Sequence, residues 1–554
     1  MKYFDKNTWF WAIIAMVFFL PFIGGVHLFD WDEINFAELS REIVVSGDWL
    51  QLQINYERFT EKPPLFFWLQ AISMSIFGVG EFAARLPNAI LGIIVLPFLY
   101  ISGKFLVDRK FGYLWALTWF GSILPFLYFK SGIIDPFFNF FIFNGLFFLI
   151  HFLWKTNNIN RVFLSRPALY YLIIGGVSLG LAILTKGPVA YLIILLTVLV
   201  YAFLHSFRFG LSFKNFIIYS ATALFVFLLW FGVDAALHGP DFLIEFTIRQ
   251  WELLTTSDAG HGGFPGYHFV VLLLGCFPAS IFALSGLGKI KGIHTQIADF
   301  QKWMIILLLV ILVLFSLVGT KIIHYSSMAY YPISFLAALS LWQMSEFPRK
   351  NPRWMLILLL AVGLIITIVS ALLPWAGLNL EDIKFLFEKD AFAMANLSAE
   401  VPWSWLDFIP AGIMLSILLI YTLYHQKHPI FSSRVLFFGT AIWTFAGLIF
   451  FIAKIERISQ RAAVEFFEEQ QGKEVYVSTF GYKSYVPWFY ARIEDYDNPE
   501  ATNREWLFHG DIDRDVLIAT KITKVEALQK EIPDAKLLYT KNGFYFFRRA
   551  AQDK

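Results

Sequence analysis

Trp31-Asp32-Glu33-Ile34-Asn35-Phe36-Ala37-Glu38 begins a polar segment that runs through Arg41-Glu42 and Gly47-Asp48-Trp49 to Glu61-Lys62-Pro63-Pro64. It starts where an apolar run over 8–29 ends. A run of about 20 apolar residues is what one helix needs to cross the hydrocarbon layer. The segment is therefore read as a loop at a membrane surface, with a helix expected from Asp32 to Ser46 lying on that surface.

Working outward, the same alternation recurs along the chain. Further apolar blocks lie at 86–106, 112–129, 136–154, 170–185, 188–205, 215–237, 268–288, 302–319, 328–345, 354–374, 406–425 and 435–453. With the first run they predict about 13 transmembrane helices. The stretch 65–78, behind Pro63-Pro64, is too short to span and is expected as a re-entrant or interfacial helix. Composition agrees: 58% of residues are hydrophobic and 16% charged, against about 25% charged in soluble domains. A net charge of +2 leaves no nucleic-acid footprint. A lone cysteine, Cys276, excludes a disulfide within the chain and a thiolate metal site. Lys2 and Lys6 before the first run imitate a signal peptide, but the length of the run and the spans that follow point to a retained first span.

Loop charges orient the spans. With the N-terminus inside, the inside loops carry Lys104, Arg109 and Lys110; Lys155, Arg161 and Arg166; Arg208 and Lys214; Lys289, Lys291 and Lys302; Arg349, Lys350 and Arg353; and Lys427 and Arg434. This is the positive-inside pattern. It predicts a membrane domain over 1–455 and a small soluble α/β domain over 456–554 on the outer side. In that domain Arg457–Gln471 and Val525–Glu531 read as helices, Glu474–Thr479 and Asp515–Ala519 as strands, and Lys536–Arg548 as a hairpin turning at Asn542-Gly543.

The residues able to do chemistry fall on the outer face. The carboxylates Asp32 and Glu33, with Asp135 before Pro136, are the catalytic candidates, suited to a general-base step. Each also has a plainer reading, as a helix cap or first-turn acid. Glu61-Lys62, held against a rigid Pro-Pro, suits the grip of a phosphate. Lys186, in Thr185-Lys186-Gly187-Pro188, Arg249, and Lys321, after Gly319-Thr320, lie at outer helix ends or in outer loops; the lysines could equally be interface anchors. His261, in a Gly-rich loop, could bind metal or do neither. This one-sided clustering of mixed charge suggests a site for a lipid-borne anionic substrate.

The ordered string Trp31-Asp32-Glu33, Ala37-Glu38, Arg41-Glu42, Gly47-Asp48-Trp49, Glu61-Lys62-Pro63-Pro64-Leu65, Gly78 and Glu81-Phe82-Ala83-Ala84-Arg85-Leu86-Pro87 resembles the first outer loop of the bacterial aminoarabinose transferases of lipid A. It is similar also to the bacterial protein O-mannosyltransferase-like proteins; both groups are GT-C glycosyltransferases. The likeness thins over about the first 340 residues and is only general beyond them. It implies a GT-C fold in a bacterial inner membrane, a sugar donor on undecaprenyl or another polyprenyl phosphate, and a lipid, glycan or protein acceptor. It implies catalytic roles for Asp32 and Asp135, a place near the lipid phosphate for Lys62, and added positive charge from Lys186 and Lys321. It implies that Glu61 and His261 could hold a divalent metal (Zn, Mg or Mn). The family's Arg-Tyr pair is Asn35-Phe36 here, which removes a cation and leaves a hexose open beside aminoarabinose. A secondary transporter is the competing class; it would place ionisable groups at mid-membrane on paired broken helices.

Overall fold

The structure, a computed structural model, describes residues 4–157, 163, 166–255, 262–288, 295–347 and 352–551. Helix α1 (Lys6–Phe19) starts at a capping box in which the Asp5 side chain accepts from the backbone of Asn7 and Thr8. It is 14 residues long, shorter than a span. The chain turns at 20–26, where Lys130 Nζ donates to the carbonyls of Phe18 (3.0 Å) and Pro21 (2.6 Å). Helix α2 (Asp32–Ser46) follows with the bounds expected and closes on Gly47 at φ +73°, the left-handed position that favours glycine. A small hairpin, β1 (Gln53–Ile54) and β2 (Glu57–Arg58), leads to the short apolar helix α3 (Leu65–Phe77).

The membrane part continues through α4 (Glu81–Leu106), α5 (Arg109–Phe120), α6 (Ile123–Tyr128), α7 (Asp135–Thr156), α8 (Ala168–Lys186), α9 (Val189–Leu204), α10 (Phe213–His238), α11 (Asp241–Thr255), α12 (Tyr267–Gly275), α13 (Ala279–Gly286), α14 (Thr295–Leu317), α15 (Tyr330–Glu346) and α16 (Arg353–Leu378). The short α17 (Leu380–Ile383) and α18 (Ala391–Asn396) precede α19 (Ile409–Tyr424), α20 (Pro429–Gly447) and α21 (Ala453–Ser459). Glycines set some of the closest approaches: a Cβ on Gly112 of α5 would lie 2.2 Å from the Tyr100 carbonyl of α4. Small residues at such crossings let membrane helices pack on their backbones.

Among the described residues, eight helical stretches are long and apolar enough to cross a membrane, or nine if α12 and α13, bent by 110°, count as one. The remaining predicted spans are shorter or broken. The 8–29 run is helical only to Phe19, and 112–129 breaks at Gly121-Ser122. Helices α10 and α16 turn exposed stripes outward, Leu224, Phe225, Leu228 and Leu229 on one and Ile357, Leu364, Ile365 and Ile368 on the other. Apolar stripes of this length suit lipid, not water. The chain is a multi-pass membrane protein.

The C-terminal unit contains α22 (Arg461–Glu468), β3 (Tyr476–Phe480), α23 (Val486–Ala491), α24 (Arg504–His509), β4 (Val516–Lys521), α25 (Val525–Glu531), β5 (Lys536–Lys541) and β6 (Phe544–Arg549). Its sheet runs β3-β4-β6-β5, parallel between β3 and β4 and antiparallel elsewhere. The β5–β6 turn places Asn542 at φ +48° and Gly543 at φ +78°, as a type I′ turn requires. The helix expected over 457–471 breaks at Gln460 into α21 and α22. The helical run Pro429–Ser459 also passes the boundary expected at 455. One face of the sheet encloses Phe480, Leu507, Ile518 and Phe547. The other, with Val477, Leu517 and Phe546, is continuous with the membrane core.

Candidate active site

A cavity of about 1190 Å³ opens where α2, the N-terminus of α7 and the C-terminus of α8 meet. Asp32, Glu61, Lys62, Asp135, Lys186, Arg249, His324 and Tyr325 line it, and apolar side chains of α9 and α20 extend it. The sequence explains this meeting. Asp135-Pro136 starts α7 with the proline among its first residues. Gly187, at φ +118°, ends α8 one residue past Lys186, and Pro188 leads into α9. An antiparallel pair thus brings its two charged ends together: Lys186 Nζ lies 2.6 Å from Asp135 Oδ1, and the Asp135 side chain is 2% exposed. The same ammonium stands over the Phe138 and Tyr325 rings at 5.7 and 5.8 Å.

Asp32, at the start of α2, keeps its side chain 38% exposed, and the helix N-terminus favours its charge. His324 Nε2 is 3.7 Å from Asp32 Oδ2. The other ring nitrogen, Nδ1, is 2.7 Å from the Tyr128 hydroxyl, so the ring is held from behind. Lys62 donates no hydrogen bond to any described residue. Burial holds its ammonium below the ordinary lysine range, with Lys186 and Arg249 adding to the effect against Glu61 and Asp32. Such a group gains from an arriving anion. Arg249 Nε is 3.8 Å from Glu61 Oε1, and Nη1 is 3.4 Å from Glu252.

Glu33 takes a different part from the one its neighbour suggests. Arg85 grips it bidentately, Nε at 2.9 Å and Nη2 at 2.7 Å, while the amides of Gly132 (2.6 Å) and Phe29 (3.0 Å) donate to it. Burial alone would raise its pKa, but Arg85 and the two amides hold it below the usual carboxylate range. All its acceptor capacity goes to fixing α2, leaving none for a substrate proton. Lys321 is likewise committed: Nζ donates to the carbonyls of Phe315 (3.0 Å), Ser316 (2.8 Å) and Val318 (2.6 Å), closing the end of α14. It does not line the cavity. His261 lies outside the described residues. No group of three His, Cys, Asp or Glu among the described residues could hold a metal ion. Glu61 itself sits between the cations Lys62 and Arg249, so the described side chains do not fit one.

His324, Tyr128, Arg85 and Lys483 are among the site residues that sequence reasoning left without a role. Arg85 stood in the quoted motif, but nothing in its spacing pairs it with Glu33, 52 residues away.

Residues 61–232 match the model of the dolichyl-phosphate-mannose-protein mannosyltransferase family. The chain is 24% identical over 359 residues to an undecaprenyl phosphate-alpha-4-amino-4-deoxy-L-arabinose arabinosyl transferase of Proteus mirabilis, an alignment that covers 63% of this chain and 62% of that protein. It is 26% identical over 444 residues to the corresponding transferase 2 of Sodalis glossinidius, covering 75% and 76%. The crystal structure of ArnT from Cupriavidus metallidurans bound to undecaprenyl phosphate superposes with a TM-score of 0.76 at 18% identity, over 99% of this chain and all of that one. The chain shares the fold of that protein. The family-model match contains Glu61, Lys62, Asp135 and Lys186, and it leaves out Asp32 and Arg249. The structural likeness takes in the last third of the chain as well, since it covers 99% of it.

Proposed function

We propose that this chain is a glycosyltransferase that moves a sugar from undecaprenyl phosphate, or a related polyprenyl phosphate, to an envelope acceptor at the outer face of a bacterial inner membrane. The observation that carries this reading is one cavity in which Lys62, Lys186 and Arg249 stand with Asp32 beside apolar walls. When the sugar–phosphate bond breaks, negative charge grows on the departing lipid phosphate, and three fixed cations stabilise it where water is scarce. Asp32, steadied by His324, takes the proton of an acceptor hydroxyl; if the acceptor is itself a phosphate, Asp32 instead faces the positive charge developing on the sugar. The Asp135–Lys186 pair holds the lysine toward the phosphate. A divalent metal enters this reading only if His261 joins Glu61, and no step here depends on one.

The full topology belongs to the same proposal: about 13 spans, the N-terminus cytoplasmic, and the α/β unit over 456–554 soluble on the outer side. The relatives act with aminoarabinose by name, and Asn35-Phe36 keeps a hexose open as the sugar here. In a transfer assay with a radiolabelled undecaprenyl-phosphate sugar, Asp32→Asn and Lys62→Ala are expected to abolish transfer while the protein still purifies folded. Full activity in both would overturn the reading, and proton- or sodium-coupled uptake in vesicles would favour a transporter.

A further inference from the structure

The segment that delivers Asp32 is held largely by the C-terminal unit. Leu28 N donates to the Tyr490 hydroxyl at 2.7 Å, and Gln460 Nε2 donates to the Leu28 carbonyl at 2.6 Å. Asp30 N donates to Gln460 Oε1 at 3.3 Å, and Tyr485 N donates to Asp30 Oδ1 at 3.5 Å. The Trp31 ring meets the Tyr485 ring edge-on at 4.8 Å. The loop between β3 and α23 therefore sits on the residues just before the proposed base, and one of its side chains, Lys483, lines the cavity.

Lys483, like Lys62, stands apart from the paired cations of the site. Arg85 and Lys186 are tied to carboxylates, and Arg249 faces Glu61. The Lys483 ammonium makes no ion pair with a described residue. It rests on two aromatic faces, Trp31 at 4.9 Å and Tyr485 at 5.6 Å. Such faces position a cation without neutralising it, so its charge remains available to a substrate. The donor phosphate already has Lys62, Lys186 and Arg249. A further cation, delivered by a separate unit next to the proposed base, suits a second anionic group.

We infer that the loop 481–485 is the acceptor-side wall of the active site, and that Lys483 binds a phosphate carried by the acceptor. The inference rests on the glycosyltransferase reading and gives the C-terminal unit a part in the reaction. Purified full-length protein would be assayed with a fixed undecaprenyl-phosphate sugar and two acceptors, bis-phosphorylated lipid A and its dephosphorylated form. Wild type is expected to prefer the phosphorylated acceptor. Lys483→Gln should raise KM for it about 10-fold, the effect of one charge-assisted hydrogen bond, and Lys483→Arg should restore it. Undecaprenyl phosphate binding should be the same in all three, which also reports that the variants are folded. Weaker undecaprenyl phosphate binding in Lys483→Gln would mean that Lys483 serves the donor, and it would overturn the inference. So would an undiminished preference in Lys483→Gln, or no preference in wild type. Absence of both transfer and undecaprenyl phosphate binding in wild type would overturn the glycosyltransferase reading, and this inference with it.

Discussion

Asp32 and Asp135 each open a helix, yet their surroundings separate their duties. Asp135 is closed off by Lys186 at 2.6 Å, whereas Asp32 faces the cavity with an imidazole 3.7 Å away. A buried pair stripped of one partner leaves an uncompensated charge, which costs about 3–5 kcal/mol. Asp135→Ala and Lys186→Ala are each expected to lower thermal stability by that order. The double variant Asp135→Asn with Lys186→Gln should recover much of the stability and none of the transfer. A double variant as unstable as either single change would refute the pairing argument. His324 acts through Asp32: its Tyr128 hydrogen bond fixes the ring, and the ring in turn orients the carboxylate. Misplacing a reacting group by about 1 Å can cost 10²-fold in rate. His324→Ala is therefore expected to reduce kcat by ~10²-fold with KM for the donor unchanged. A rise in donor KM at constant kcat would instead make His324 a phosphate ligand.

At the scale of elements, α2 is pinned at both sides of its start. On one side Arg85 of α4 holds Glu33 and also donates to the carbonyls of Ile23, Val26 and His27. On the other the C-terminal loop holds Asp30. Burial pushes the Asp30 carboxyl up to about 6 from 3.8, against the pull of Ser484, the Tyr485 amide and Lys521. A carboxyl raised on folding binds its proton more tightly in the folded state. Its contribution to stability is complete below about 4 and is lost as pH rises to about 6. Asp30→Asn should remove that slope, seen as a flatter dependence of Tm on pH between 4 and 6. An unchanged slope would place the titrating group elsewhere. These elements also show what was legible. The helix from Asp32 to Ser46 could be read because its N-terminal acids and Gly47 are local signals, and Glu61-Lys62, Asp135 and Lys186 could be grouped because topology puts helix ends on one face. The Glu33–Arg85 lock and the break of 112–129 at Gly121-Ser122 depend on partners far along the chain or on packing between helices, and the Lys321 cap on a local fold-back of the side chain onto carbonyls three to six residues before it, none of which a linear charge pattern carries. The α4–α5 crossing is of the same kind: Gly112 has no room for a methyl group beside the Tyr100 carbonyl.

For the whole molecule, the proposed reaction requires the cavity and the C-terminal unit to share one side of the membrane, and the α17–α18 loop goes with that unit because Phe392 of α18 meets the Phe544 ring at 5.1 Å. The charged end of α8 and the opening of α7 line the cavity, and the C-terminal unit reaches the same cavity through Lys483. The basic connections assigned to the inside, such as Arg208 to Lys214 between α9 and α10, lie at the opposite ends of those helices. The cavity and these basic connections thus lie at opposite helix ends, which is the arrangement the proposed orientation requires. Cys276 is buried and is the only cysteine, so a Cys276→Ala background reports single introduced cysteines cleanly. In cells with a permeabilised outer membrane, an impermeant maleimide is expected to label Glu388→Cys, in the α17–α18 loop, and Glu526→Cys, in the C-terminal unit. Lys427→Cys, between α19 and α20, should label only after the inner membrane is broken. The reverse pattern would put the proposed site in the cytoplasm, where a sugar transfer fed from the outer leaflet could not occur. Labelling of Glu388→Cys without Glu526→Cys would detach the C-terminal unit from the active site and remove the basis for Lys483 as a substrate contact.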